Sequence, residues 1–314
     1  MKGRGIMSLE IRNLKKCYGD KTVVDNLSFT MKEPGVYALL GTNGAGKTTS
    51  IRIILGMLAS DGGEVLWNGK PLDPLEVNVG YLAEERGLYP KYTLEDQLLY
   101  FAKLKKVSRK TAQERIRIWA EKLGVEEYIY TEKGAKPKTA DQLSKGNQQK
   151  IQLMAALLSD PELIVLDEPL SGLDPVNSDL FKAIIKEEIA NGKYLIMSSH
   201  QMPTIEEFCS DITILDRGKA VLQGNLNEIK RSYGRCNMLL KCEEDITPYL
   251  NRAEGLLSVE ESPDAYKIRV AGADAANSLL RTLLDHQVSV IRFELREPSL
   301  HEIFVEKVGG NHEV

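Results

Sequence analysis

The run GTNGAGKT, residues 41–48, sets two glycines around four residues and follows them with lysine and threonine. That spacing is what a phosphate-wrapping loop requires. Glycines let the backbone close around phosphate oxygens, so consecutive N–H groups point inward at the opening of a helix. The candidate loop residues are Gly41, Thr42, Asn43, Gly44, Ala45 and Gly46. Lys47 brings a positive charge to the β- and γ-phosphates, and the Thr48 hydroxyl suits Mg²⁺, a hard cation that prefers oxygen. The loop specifies a nucleoside triphosphate and no particular machine.

A second candidate is LIVLDEP, residues 163–169. Four apolar residues make a buried strand, and Asp167 and Glu168 stand at its carboxyl end. Ligands sit at the carboxyl ends of strands in open α/β sheets, so both acids can reach what the loop holds. Asp167 would hold Mg²⁺ directly or through water, and Glu168 would orient and polarise an attacking water. Taken alone, the pair serves equally well as a helix cap.

The elements around these residues follow from periodicity. The first 35 residues read as short strands and turns, with Gly19-Asp20 as a hairpin signal. GVYALLG is a buried strand that runs straight into the glycine-rich loop, and SIRIILGMLAS is the helix after it. GGEVLWNGKPL reads as a hairpin. Residues from about 90 to 158 form a mainly helical insert, with helices starting after Thr93 and Ser108 and a third over NQQKIQLMAALLS. Strands LIVLDEP and YLIMSSH then alternate with the helix LFKAIIKEEIANG, which predicts a parallel sheet covered on both faces. Beyond about Gly224, the strands NMLLKC, YKIRV and VSVIRFEL and the helices ITPYLNRA and DAANSLLRTLLDHQ predict a small βαββαβ domain ending in SLHEIFVEKVG.

At LSKGNQQK, residues 143–150, the sequence resembles the signature LSGGQ of the ATP-binding cassette (ABC) family. SGLD, ending at Asp174, is similar to that family's D-loop. His200 is similar to its switch histidine, and Tyr18 to the aromatic that stacks on adenine. These elements stand in family order over residues 8–224. The resemblance implies a P-loop NTPase cassette, α/β with a mixed sheet and a helical subdomain at about 90–158, followed by a ferredoxin-like α+β accessory domain over 230–314. It implies that Tyr18 stacks on adenine, that Gly44, Gly46, Lys47, Thr48 and Thr49 hold phosphates and metal, and that His200 contacts the γ-phosphate and steadies the water. Ser144 and Gly146 would reach across a dimer interface to the γ-phosphate of ATP bound by a second subunit, and Asn147 and Asp174 are further candidate nucleotide-binding residues. A chain with one P-loop and one signature then works as a homodimer or heterodimer, with closure driven by ATP binding and opening by hydrolysis.

Two positions depart from the family's pattern. Lys145 and Asn147 replace a glycine and the glutamine of the signature, and Glu84, in YLAEERGLYP, stands where the family has a glutamine that serves Mg²⁺ or water. The RGLYP stretch and the terminal EPSLHEIFVEKV resemble bacterial exporter ATPases of the sodium-extrusion and drug- or peptide-resistance type, which pair with separate permeases.

The bulk composition fits this picture. With 42% hydrophobic and 27% charged residues, the chain is that of an ordinary globular protein. A net charge of −4 argues against a protein that coats nucleic acid. Cys17, Cys209, Cys236 and Cys242 read as buried, reduced thiols, which fits a cytosolic location. The opening MKGRGIMSLEIRN lacks the apolar core of a signal peptide, and no stretch reaches the roughly 18 apolar residues of a membrane span. A role at the cytoplasmic face of a membrane then requires a separate transmembrane permease. Two other readings compete. A soluble ABC ATPase acting on ribosomes or DNA would carry a second cassette or long coiled coils, which this sequence lacks. A non-hydrolysing regulatory subunit is opposed by the presence of both Glu168 and His200.

Overall fold

The computed structural model describes residues 8–85, 87–130 and 136–309. Arg86 of RGLYP, most of the opening segment and residues 310–314 of the expected accessory domain lie outside the described residues. The chain divides into two compact units, Met1–Gln223 and Gly224–Val314.

In the first unit, β1 (Leu9–Tyr18) and β2 (Lys21–Met31) form an antiparallel hairpin in which Tyr18 opposes Lys21 across the Gly19-Asp20 turn. These strands are longer than the short ones expected. The pairing shifts register three times between Ile11 and Cys17, so bulges absorb the breaks in alternation that look like strand ends in the sequence. β3 (Gly35–Gly41) leads into α1 (Lys47–Ile54), and β4 (Gly62–Trp67) turns back through β5 (Lys70–Pro71) as expected. Next come β6 (Val79–Leu82), α2 (Leu94–Leu104), α3 (Arg109–Leu123), α4 (Glu126–Ile129) and α5 (Lys145–Leu157). Thr93 and Ser108 cap α2 and α3 by accepting the Asp96 and Thr111 amides, which fixes where those helices begin. The unit closes with β7 (Leu163–Asp167), α6 (Pro175–Ala190), β8 (Tyr194–Ser199), α7 (Met202–Ile205), β9 (Cys209–Asp216) and β10 (Lys219–Asn225).

Two sheets result. One is antiparallel, in the order β2-β1-β4-β5, and the other has the order β10-β9-β3-β8-β7-β6. In the second, β9, β3, β8, β7 and β6 pair in parallel. Every residue of β7 and β8 is buried, which explains their unbroken apolar runs: both faces of the sheet are covered. Leu39, Ile51, Val165 and Ile196 join Leu9, Leu14 and Leu27 in one core, so the strand that feeds the glycine-rich loop is anchored from both sheets. The expected mixed-sheet cassette with a helical subdomain is what is found.

The second unit contains α8 (Leu226–Tyr233), β11 (Asn237–Cys242), α9 (Thr247–Leu250), β12 (Leu256–Glu261), β13 (Tyr266–Val270), α10 (Ala273–Asp285), β14 (Val290–Arg296) and α11 (Leu300–Phe304). Its sheet runs β12-β13-β11-β14 with every pair antiparallel, the order of a ferredoxin-like domain. The helix expected over ITPYLNRA is a single turn. Its start is well formed, with Asp245 Oδ1 accepting the Thr247 amide and Pro248 in the first turn, and it stops where the chain turns at Asn251 and Arg252.

All four cysteines are free thiols, but Cys209 alone is buried and the other three are half-buried. The expectation of four buried thiols is corrected: Cys17 and Cys242 sit near strand ends, where one side of the residue meets solvent. Among the described residues no helix is long and apolar enough to cross a membrane.

Candidate active site

β3 delivers the chain at Gly41, and α1 starts at Lys47 with Gly46 as its N-cap. Gly46 is left-handed (φ 106°), and a β-carbon there would sit 2.5 Å from the carbonyl oxygen of Val23. A β-carbon on Gly41 would meet the Leu215 carbonyl at the same distance. The loop is therefore pressed between β2 and β9, with no room for side chains at these two points. Gly44 is also left-handed (φ 80°) but faces open space. The two positions separate conformation from crowding. Gly44→Ala should cost about 1–2 kcal/mol, the penalty for a left-handed residue alone. Gly46→Ala should exceed that by about 1–3 kcal/mol, because backbone must move. Chemical unfolding of the two variants checks this, and equal losses would refute the crowding at Gly46.

Lys47 is buried and folds back over the loop, donating from Nζ to the carbonyls of Gly41 (2.8 Å) and Thr42 (3.3 Å). The same Nζ lies 3.6 Å from Glu168 Oε1, and His200 Nδ1 lies 2.8 Å from Glu168 Oε2. Asp167 is fully buried and Glu168 nearly so. Burial pushes the Asp167 carboxyl above the usual carboxylate range, opposed by the Ser198 hydrogen bond, the nearby Thr48 hydroxyl and the Lys47 charge. Burial beside Asp167 also pushes the Tyr81 phenol up to about 12.

Asp167 Oδ2 and Glu168 Oε1 find no hydrogen-bond partner among the described residues. Among the described residues no group of three or more histidines, cysteines or carboxylates is arranged to hold a metal. A divalent ion here would therefore take the Thr48 hydroxyl and the free Asp167 oxygen, with Glu84 in the same cleft, and complete its shell from phosphate and water. That mixed oxygen set suits Mg²⁺, so the residues present fit the ion.

A cleft of about 270 Å³ brings together residues 43–49, Glu84 and Glu168. Val23, which no sequence signal marks, is a further wall. Tyr18 does not line this cleft; it is half exposed, near Val23 on the same hairpin, with Lys16 Nζ 5.6 Å from its ring centre. A second group lies apart. Ser144 caps α5 by accepting the Asn147 amide (3.3 Å), and Asp174 caps α6 by accepting the Asn177 amide (2.9 Å), which holds the Asp174 carboxyl below its ordinary range. A β-carbon on Gly146 would stand 3.5 Å from Asn177 Nδ2, so these caps are neighbours. None of Ser144, Gly146, Asn147 and Asp174 lines the phosphate cleft.

Sequence reading also misses Ser198, whose Oγ donates to Asp167 Oδ1 and accepts the Glu168 amide (3.0 Å). It misses two glutamines on α5 as well: Gln149 donates to the Pro169 carbonyl (2.7 Å) and Gln152 to that of Glu85 (3.4 Å). The one sequence signal for Ser198 is its place two residues before the histidine in SSH.

Residues 24–171 match the family described as ABC transporter, and residues 224–308 match the C-terminal domain described as ATP-binding protein DrrA1-3-like. The ABC transporter ATP-binding protein YhaQ of Bacillus subtilis is 42% identical over 97% of this chain and 100% of its own length. The linearmycin resistance ATP-binding protein LnrL of the same organism is 29% identical, covering 96% of this chain and 98% of its own. A Nod factor export ATP-binding protein I of Burkholderia orbicola is 31% identical over 74% of this chain and 76% of its own. A solved structure of an ATP-binding subunit of an ABC transporter aligns with a TM-score of 0.65 at 29% identity, covering 72% of this chain and 92% of that one. With a nucleotide cleft of this construction and a relative of such identity over its full length, the chain belongs to the ATP-binding proteins of ABC transporters, a family of ATPases that generally dimerise and work with a transmembrane permease.

Proposed function

We propose that this chain powers export through a separate membrane-spanning permease, at the cytoplasmic face of the membrane, by closing as a dimer on two MgATP and reopening after hydrolysis. The observation that carries the reading is the separation of the two groups above. Among the described residues that line the phosphate cleft none belongs to the signature group, which is gathered instead at the caps of α5 and α6. Pairing two subunits head to tail supplies each cleft with the other's Ser144, Gly146, Asn147 and Asp174. Export as the direction of transport is supported by the names of the linearmycin resistance and Nod factor export relatives.

In this reading the loop amides and Lys47 bind the phosphates, and Tyr18 stacks on the adenine. Thr48, Asp167 and Glu84 would hold Mg²⁺, which would neutralise charge on the phosphates. Glu168 accepts the proton of the attacking water, and His200, already 2.8 Å from Glu168 Oε2, steadies that carboxylate and reaches the γ-phosphate. The accessory domain, expected over 230–314, contributes dimer contact or regulation.

The test is kinetic. Specific MgATPase activity of the purified chain should rise with protein concentration and disappear on chelation of divalent ions. A specific activity that stays constant across a hundredfold dilution, down to the nanomolar range, would refute the shared site.

A further inference from the structure

We propose that Ser198 is a positioning residue for hydrolysis, its one hydroxyl fixing both the Asp167 carboxylate and the peptide that aims Glu168. The proposal rests on the roles given above to those two acids.

Ser198 is completely buried on β8, directly opposite Asp167 in the parallel pairing of β7 and β8. A serine hydroxyl has one hydrogen to give. Here it goes to Asp167 Oδ1, which pins that oxygen and leaves Oδ2, the one with no partner, as the oxygen able to serve a cation. The same Oγ accepts the Glu168 amide at 3.0 Å. Glu168 has φ +49°, a left-handed conformation that a residue with a β-carbon adopts at a cost, and one that persists when its surroundings enforce it. The enforcing contact on its N–H is Ser198. Rotation of that peptide would swing the Glu168 carboxylate away from Lys47 and His200, which hold its two oxygens. The adjacent Ser199 acts elsewhere, since its Oγ accepts the Gln201 amide at 2.9 Å and shapes the turn after His200.

Partners that orient a metal-holding carboxylate commonly change metal affinity or activity by about 10- to 100-fold when removed. Ser198→Ala, made in the full chain, should lower kcat for MgATP by about 10- to 100-fold. It should also reduce, by about tenfold, the gain in ADP affinity that Mg²⁺ provides, while metal-free ADP binds as in the parent. Ser198→Thr keeps the hydroxyl and should recover most of both losses. Equilibrium binding of a fluorescent ADP with and without Mg²⁺ gives a readout independent of turnover, and thermal unfolding reports whether each variant is folded. Parental kcat and an undiminished Mg²⁺ gain in the alanine variant would overturn the proposal. So would equal impairment of the alanine and threonine variants, or a matching loss of metal-free ADP binding. If Glu168→Gln turned over like the parent, the base assignment would fail, and the Mg²⁺-linked ADP binding of the Ser198 variants would still test the placement of Asp167.

Discussion

Glu168→Gln is expected to bind MgATP at least as tightly as the parent and to lose turnover by about 100-fold or more, the range a general base contributes. The substitution keeps the size of a nearly buried side chain whose two oxygens lie 2.8 Å from His200 and 3.6 Å from Lys47. What it removes is basicity, and with it one of the two negative charges packed at the end of β7. Less repulsion toward the polyphosphate favours binding, while the water loses its proton acceptor. Size-exclusion chromatography with MgATP should therefore show an accumulating nucleotide-bound dimer, and a single-turnover assay should show a stalled chemical step. Parental turnover would remove Glu168 from the mechanism.

Lys47→Met should have the opposite signature: nucleotide binding fails before chemistry is reached. Truncating one partner of a buried, charge-assisted contact costs about 2–5 kcal/mol of binding, roughly 30-fold to several-thousand-fold in affinity. The fold should feel it too. Lys47 Nζ donates to the Gly41 and Thr42 carbonyls and faces Glu168, so methionine leaves two loop carbonyls and a buried carboxylate without their cation. A stability loss of about 1–3 kcal/mol follows from the unmet polar groups. Chemical unfolding without nucleotide and isothermal titration with ATP measure the two effects separately. A methionine variant that kept parental ATP affinity would show that the loop amides alone carry the phosphates.

The parts of the site that were legible in the sequence are those built from contiguous residues. The loop at 41–48 and the acids of LIVLDEP are short-range patterns, since each is a strand end meeting the segment that follows it. Ser198 and Val23 enter the site by a different route. Ser198 arrives because β8 lies beside β7 in one register, and Val23 because β2 presses its carbonyl toward Gly46. Strand register and sheet-to-loop packing are decided by the whole core, and no window of sequence contains them. The same reason hid the true length of β1 and β2, whose bulges look like strand ends, and the exposure of three of the cysteines. In the second unit the βαββαβ order was anticipated from three strands, and β12 went unnamed because its residues are almost all exposed and show no alternation. The single-turn α9 was overestimated because its apolar spacing runs on past Asn251, where the chain already turns.

The two glutamine contacts of α5 give that helix a mechanical character. Its thirteen residues span about 20 Å, at 1.5 Å each. Ser144 stands at its first turn, and Gln149 and Gln152 grip the carbonyls of Pro169 and Glu85 farther along. Nearer its first turn, Gln148 Nε2 donates to the Ala140 and Leu143 carbonyls, so the helix ties all these segments into one rigid body. Small displacements of the backbone next to Glu168 or Glu84 would therefore be passed along the helix to the end that carries Ser144. Glutamine side chains make adjustable bearings, since each amide can slide or rotate without exposing a charge.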